Sequence, residues 1–185
     1  MNASLELLIG PMFAGKTSEL IRRLTTFKKA NFTVLYINSS LDTRSDLFST
    51  HNGSLSKDQD IDMVKTTLLM DVYEMCKEVR VIAIDEGQFF DDIVEFYNQI
   101  VEVDKKTLII AGLNGTSDRT PFGKLAELYP LCDNIEFIKP FCTTCSETGK
   151  IVPAIFSKRI TKTTGDSVVC IGGSDSYIAV CRNHY

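Results

Sequence analysis

The sequence predicts an α/β fold, a parallel sheet flanked by helices, with a small second domain at the C-terminal end. Three observations predict it. Apolar strand-like runs alternate with helical patterns over most of the chain, as a parallel sheet requires. The octapeptide Gly10-Pro11-Met12-Phe13-Ala14-Gly15-Lys16-Thr17 fits the phosphate-binding pattern G-x-x-x-x-G-K-[ST]. After Lys139 the helical periodicity stops, and cysteines, glycines and short β-like runs take over. The expected division is 1–139 for a nucleotide-binding domain and 140–185 for the smaller one.

The elements follow in order. Leu5–Gly10 is apolar and leads straight into the phosphate loop. A helix over about Lys16–Ala30 carries Leu20, Ile21, Leu24 and Phe27 on one face, with Arg22, Arg23, Lys28 and Lys29 expected on its solvated face. Strand–loop–helix is the setting in which the motif binds phosphate. Backbone N–H groups and the helix N-terminus face the anion. Lys16 is expected to reach the β/γ-phosphates, and the Thr17 hydroxyl to bind Mg²⁺.

Phe32–Ile37 reads as the second strand. Asn38–Asp60 is polar and long for a passive connection, hence a mobile functional loop or a flexible insertion. Ile61–Val64 reads as a short strand, and Leu68–Glu78 as a helix with Leu68, Leu69, Val72 and Met75 inward. Val81–Ile84 is an apolar strand ending in Asp85 and Glu86. A buried strand that delivers carboxylates beside a phosphate loop supplies the Mg²⁺ partner. An ordinary acidic pair at a helix start is the competing reading, and the phosphate loop decides against it. Asp91–Val103 reads as a helix, Thr107–Ala111 as a strand, Phe122–Tyr129 as a short helix and Cys132–Ile138 as the last strand of the sheet.

Composition narrows the function classes. The chain has 185 residues, 44% of them apolar, and a net charge of −4 from 20 basic and 24 acidic side chains. An acidic chain without a basic stripe is a poor partner for nucleic acid. No apolar run has the length of a membrane span. The N-terminus has no basic region before its apolar run, so a secretory signal is not expected and a cytoplasmic location is. The six cysteines are therefore read for a reducing compartment, where metal binding outweighs disulfides.

Cys142-x-x-Cys145 and Cys181-x-x-His184 form a Cys₃His set suited to tetrahedral Zn²⁺. Four protein ligands leave no open position, so the expected role is structural, a staple at the base of a long loop. Cys76, Cys132 and Cys170 fall outside the pattern and read as buried core cysteines.

These residues carry a family resemblance. The phosphate loop, Asp42-Thr43-Arg44, Asp85-Glu86-Gly87-Gln88-Phe89-Phe90, Ser157-Lys158-Arg159, Ile171-Gly172-Gly173 and the four metal ligands appear in the order of the type II thymidine kinases. The resemblance spans nearly the whole chain. It implies a RecA-like phosphate-loop domain, a small zinc domain, transfer of the ATP γ-phosphate to the thymidine 5′-hydroxyl, and a homotetramer. It implies Glu86 as general base and Asp85 as Mg²⁺ partner, with Gln88 beside them. Asp42, Thr43 and Arg44 would lie in a loop closing on the phosphates. Met12, Phe89, Leu113 and Phe122 would surround the nucleoside, with Tyr177 packed against it. Val168, Val169, Cys170, Ile171 and Gly172 would grip the base through their backbone. Ser157 stands where the family often has Thr, near the thymine methyl. Ser117 stands where many members carry Phe, which thins that wall of the pocket.

Without the resemblance, Glu86 fits a base for an alcohol or for water equally well, since spacing alone does not separate the two. A RecA-like ATPase acting on nucleic acid through a zinc ribbon, and a zinc-dependent binding module with an inactive loop, are the rival classes. Acidic charge argues against the first. Intact Lys16, Thr17, Asp85 and Glu86 argue against the second.

Overall fold

The computed structural model describes residues 2–42, 61–161 and 175–185. Thr43, Arg44 and most of the polar Asn38–Asp60 stretch lie outside the described residues. So do Val168, Val169, Cys170, Ile171 and Gly172.

Strands β1 (Ser4–Gly10), β2 (Val34–Ser39), β3 (Asp62–Thr66), β4 (Val81–Ile84), β5 (Thr107–Leu113) and β6 (Asn134–Phe137) form one sheet in the order β3-β2-β4-β5-β1-β6. Every pairing in it is parallel. The predicted fold class is the observed one. The central strands bury both faces, which explains their almost continuous apolar sequences.

Alternation along each strand divides the core in two. Leu8, Tyr36, Val81, Ala83, Ile109 and Ala111 face helix α1 (Lys16–Lys29), meeting Leu20, Ile21 and Leu24. Leu7, Ile9, Leu35, Ile37, Ile82, Ile84 and Ile110 face the opposite layer, built from Leu69, Val72, Phe90, Ile93, Phe96, Leu125 and Leu128. Burying one such aliphatic side chain contributes about 1.5–3 kcal/mol, so both layers are strongly held to the sheet.

The end of α1 has a local cause. Asn31 adopts a left-handed φ of 64°. The N–H of Phe32 then reaches the carbonyl of Phe27 at 3.1 Å, and the N–H of Asn31 reaches that of Lys28 at 2.9 Å. The Phe27 and Phe32 rings meet edge to face at 6.1 Å. This six-to-one closure with its apolar contact uses up the last helical carbonyls. It also delays the second strand, which starts at Val34 rather than Phe32.

The opposite layer is less regular than expected. The Leu68–Glu78 helix is a 3-10 turn, Leu69–Val72, followed by one α turn, α2 (Tyr73–Cys76). A 3-10 turn brings residues three apart into line, so Leu69, Val72 and Cys76 point inward. Leu68 and Met75, expected inside, are 44% and 47% exposed. The Asp91–Val103 helix is α3 (Ile93–Tyr97) continued by a π-helical stretch, Asn98–Val103. The Phe122–Tyr129 helix is instead a 3-10 segment, Leu125–Leu131, containing Pro130, which has no N–H for an α ladder. On α1, Arg23 is not on a solvated face. Its guanidinium pairs with Glu19, Glu6 and Glu136, tying the helix to β1 and the edge strand β6.

The chain after Lys139 has its own small core. Cys142, Cys145, Ala154, Ala179, Val180 and Cys181 pack together under Val152, Phe156, Ile178 and Tyr185. Its described residues include an α-helical turn, α4 (Thr143–Ser146), a 3-10 turn at Arg182–His184 and an antiparallel pair, β7 (Phe156–Arg159) with β8 (Tyr177–Val180). One of the short β-like runs after Lys139, Tyr177–Val180, is β8. Among the described residues no helix is long and apolar enough to cross a membrane.

Candidate active site and metal centre

β1 ends at Gly10, and β4 ends one residue before Asp85. Strand β5 lies between them. The phosphate loop and the carboxylate pair therefore open on the same, C-terminal edge of the sheet, where α/β proteins bind ligands. Gly10 is required by space, because a Cβ there would sit 2.1 Å from the carbonyl oxygen of Ile138. Gly15 takes a φ of +82° at the start of α1, a backbone state costly for other residues. Phe13, within the loop, also has a positive φ of 65°.

Lys16 is buried, and its Nζ donates to the Pro11 carbonyl at 2.9 Å, which holds the ammonium inside the curve of the loop. Thr17 Oγ1 donates to Asp85 Oδ2 at 2.7 Å. The same oxygen accepts the Tyr36 hydroxyl at 2.8 Å, and Asp85 Oδ1 accepts the Glu86 N–H at 2.9 Å. Burial and the neighbouring Glu86 charge raise Asp85 to about 6 despite these donors. Burial and Asp85 likewise push the Tyr36 phenol well above its ordinary value. A hydroxyl and a carboxylate in contact, beside a second buried carboxylate, form an all-oxygen set that suits a hard divalent cation.

Glu86 sits at a left-handed φ of 53° and is 7% exposed. A non-glycine residue there is strained, and such strain concentrates at functional sites. Gln88 fixes the side chain. Its Nε2 donates to Glu86 Oε2, while its Oε1 accepts the N–H of Leu113 at 3.0 Å. Gln88 is itself hemmed in by two glycines, one against its side-chain amide and one against its backbone. A Cβ on Gly112 would lie 2.9 Å from Gln88 Oε1, and one on Gly123, at φ +55°, would lie 2.2 Å from the Gln88 carbonyl oxygen.

Residues expected around the nucleoside make the following contacts. Phe89 and Phe122 meet edge to face at 5.5 Å. The Met12 N–H donates to Ser157 Oγ at 2.9 Å, joining the phosphate loop to β7. Tyr177 is buried and accepts two hydrogen bonds from Arg159. Asp42 is 2% exposed and accepts from Asn38 at 3.2 Å.

Ser117 lies four residues beyond the end of β5. Its carbonyl accepts the Tyr185 hydroxyl at 2.6 Å, and the neighbouring Arg119 guanidinium lies 4.0 Å from the Tyr185 ring centre. An open cavity of about 280 Å³ lies beside this loop, between Asn114, Thr116, Tyr129 and Phe156. Of the described residues expected at the nucleoside, Ser157 alone lines it.

Two contacts at the carboxylate pair, that of Tyr36 and the Gln88 bridge, have no counterpart in the sequence reading. Period-two alternation contained a signal for the first. Val34 and Tyr36 share a face of β2 as Val81 and Ala83 share a face of β4, and Asp85, just past the end of β4, is the next position in that alternation. The Gln88 bridge spans 25 residues to Leu113, and no local pattern encodes it.

The four predicted metal ligands converge, their ligand atoms all within 4.8 Å of one another. His184 Nδ1 lies 3.5, 3.3 and 3.4 Å from the sulfurs of Cys142, Cys145 and Cys181, and the Cys145 and Cys181 sulfurs are 3.9 Å apart. The edges of a tetrahedral zinc site with Zn–S near 2.3 Å are about 3.6–3.8 Å, so the set fits Zn²⁺. Burial and the adjoining thiols push Cys145 up to about 11. Cys142 is raised by burial but drawn down further, to about 6, by backbone donors from Cys181 and Cys145 and by His184. All five described cysteines are free. Cys76 is buried as expected, whereas Cys132 is only half-buried.

Comparison with known proteins agrees with this geometry. A family model described as thymidine kinase matches residues 3–185. The thymidine kinase of myxoma virus (strain Uriarra) is 40% identical over 182 residues, 98% of this chain and 95% of the viral one. The cytosolic thymidine kinase of Bos taurus is 38% identical over 182 residues, 98% of this chain and 71% of the bovine one. Among solved structures, the flagellar accessory protein FlaH from Methanocaldococcus jannaschii superposes with a TM-score of 0.57 over 77% of this chain and 73% of its own, at 16% identity. That likeness concerns the fold alone. With the phosphate loop, the buried carboxylate pair and the Cys₃His cluster in one chain, and relatives matching across nearly all of it, the chain belongs to the thymidine kinase family.

Proposed function

We propose that this chain transfers the γ-phosphate of ATP to the 5′-hydroxyl of thymidine, with Glu86 as the general base. The observation that carries the reading is the contact of Asp85 with Thr17, which sets a buried Glu86 directly beside the phosphate loop. The loop N–H groups and Lys16 would cradle the β/γ-phosphates, and Thr17 with Asp85 would hold Mg²⁺. Mg²⁺, when bound, supplies positive charge against the oxygens of the transferring phosphoryl. Glu86, oriented by Gln88, takes the proton of the attacking hydroxyl. Lys16 offsets charge that develops on the γ-phosphoryl oxygens.

Residues 140–185 form a zinc-stapled domain in this reading, and 1–139 the nucleotide-binding domain. Met12, Phe89, Leu113, Phe122, Ser157 and Tyr177 flank the nucleoside. Zn²⁺ is structural, because Cys142, Cys145, Cys181 and His184 would fill its four positions. A homotetramer and a cytoplasmic location go with the family resemblance.

The test is turnover of ATP with thymidine, deoxyuridine and deoxycytidine as acceptors. Phosphorylation of thymidine ahead of deoxycytidine is expected. ATP hydrolysis without transfer to any nucleoside would reject the reading.

A further inference from the structure

We propose that Tyr36 is a positioning residue for phosphoryl transfer, one that holds the Asp85 carboxylate in the orientation a divalent cation needs beside Thr17. The inference rests on reading this cleft as an Mg²⁺·ATP site.

Tyr36 lies on β2 with none of its surface exposed, among the apolar residues between the sheet and α1. A phenol in such surroundings loses its hydration and must find a partner. It finds Asp85 Oδ2, the oxygen that Thr17 also addresses, at 2.8 and 2.7 Å respectively. The Glu86 N–H occupies the other oxygen at 2.9 Å. Three donors divided over two oxygens fix both the plane of the carboxylate and its rotation about the Cβ–Cγ bond.

The consequence falls on Thr17. A threonine hydroxyl has one proton and two lone pairs. With its proton committed to Asp85, its lone pairs remain for a cation. Without Tyr36, Oδ2 would be held by Thr17 alone while the Glu86 N–H holds Oδ1, and Oδ2 and the hydroxyl could shift together, so that a cation would have to order both on arrival. Tyr36 comes from a different strand and is rigidly packed, so it anchors the carboxylate independently of the phosphate loop. That is preorganisation, and it lowers the cost of cation binding. A phenylalanine would fill the same space among Leu8, Leu20 and Ile109 without supplying the anchor.

The competing reading is a core tyrosine whose hydroxyl is merely satisfied. It predicts that Tyr36→Phe changes stability only. The two readings separate in the Mg²⁺ dependence of ATP binding, followed by calorimetry on the full chain. For Tyr36→Phe, the Mg²⁺ concentration giving half its enhancement of ATP binding should rise about tenfold, the loss of one hydrogen bond to a charged group. ATP affinity without Mg²⁺ and the KM for thymidine should not move, while kcat falls at low Mg²⁺ and recovers at high Mg²⁺. The same Mg²⁺ dependence in parent and variant would overturn the proposal and leave the site reading standing. A parent whose ATP binding ignores Mg²⁺ would overturn both.

Should the variant not fold, the parent labelled with 3-fluorotyrosine provides the measurement. With ATP bound, Mg²⁺ should shift a solvent-shielded fluorine resonance, and Mn²⁺ should broaden that same resonance first. Shielded resonances indifferent to both cations would overturn the proposal.

Discussion

The hydroxyl of Ser157, on β7, accepts the N–H of Met12 within the phosphate loop at 2.9 Å. A loop that would hold ATP and a hairpin that would hold the nucleoside are thus joined by one hydrogen bond across 145 residues of sequence. Asn114 Nδ2, donating to the Ile155 carbonyl at 3.2 Å, and Tyr185, donating to Ser117, are further ties between the chain before Lys139 and the chain after it.

Ser157→Ala would leave the Met12 N–H without its acceptor. A neutral hydrogen bond contributes about 0.5–1.5 kcal/mol net, so affinity for ATP and for thymidine should each fall by several-fold. Ser157→Thr, which keeps the hydroxyl, should restore both. Calorimetry with each ligand checks this, and a loss confined to thymidine would mean that the contact does not shape the phosphate loop.

Glu86→Gln keeps the shape of the side chain but cannot accept the hydroxyl proton. Turnover should fall by about 10²–10⁴-fold, with ATP affinity close to that of the parent. Single-turnover kinetics is the measurement, and a rate near that of the parent would remove Glu86 from the mechanism.

Gly123→Ala should destabilise and disable together. The left-handed φ alone costs about 1–2 kcal/mol for an L residue, and the new Cβ would press on the Gln88 carbonyl. Displacing Gln88 loosens Glu86, so kcat should drop in the fraction that remains folded. Denaturant midpoints and kcat on one preparation test this. An unchanged kcat in a destabilised protein would show that Gln88 does not orient the base.

Ser117→Phe adds bulk without touching the carbonyl that Tyr185 binds. If this loop forms part of the acceptor wall, the thymidine-to-deoxyuridine ratio of kcat/KM should change, within the roughly 1–3 kcal/mol such packing differences give. An identical ratio in the two proteins would place residue 117 away from the base.

Cys145→Ser removes a zinc ligand of nearly the same size. Structural zinc contributes on the order of 10 kcal/mol in small domains, and the core beneath this site consists largely of small residues, Ala154, Ala179 and Val180 among them. The sheet and its two layers have cores of their own. The variant should lose zinc and thymidine affinity and still bind ATP. Metal content and both affinities, measured together, decide the matter. Normal thymidine affinity in the zinc-free protein would contradict it.

The sequence by itself determined what depends on near neighbours and on composition. Gly10 to Thr17 form a loop because glycine spacing and the following helix are local properties. The apolar runs of β1, β4 and β5 declared buried parallel strands because both of their faces are covered. The paired Cys-x-x-Cys and Cys-x-x-His spacings announced one metal centre, since each half is a single turn of chain. Tertiary structure decided the rest. Whether Leu68 and Met75 point inward depended on a 3-10 turn that local periodicity does not distinguish from a helix. Arg23 left the solvent because Glu6 and Glu136 arrive from other strands. The bridge of Gln88 to Leu113, the Ser157 contact with Met12 and the grip of Tyr36 on Asp85 join positions 25, 145 and 49 residues apart. Hydrogen bonds act over about 3 Å in space, and only the folded chain decides which distant donors and acceptors come that close.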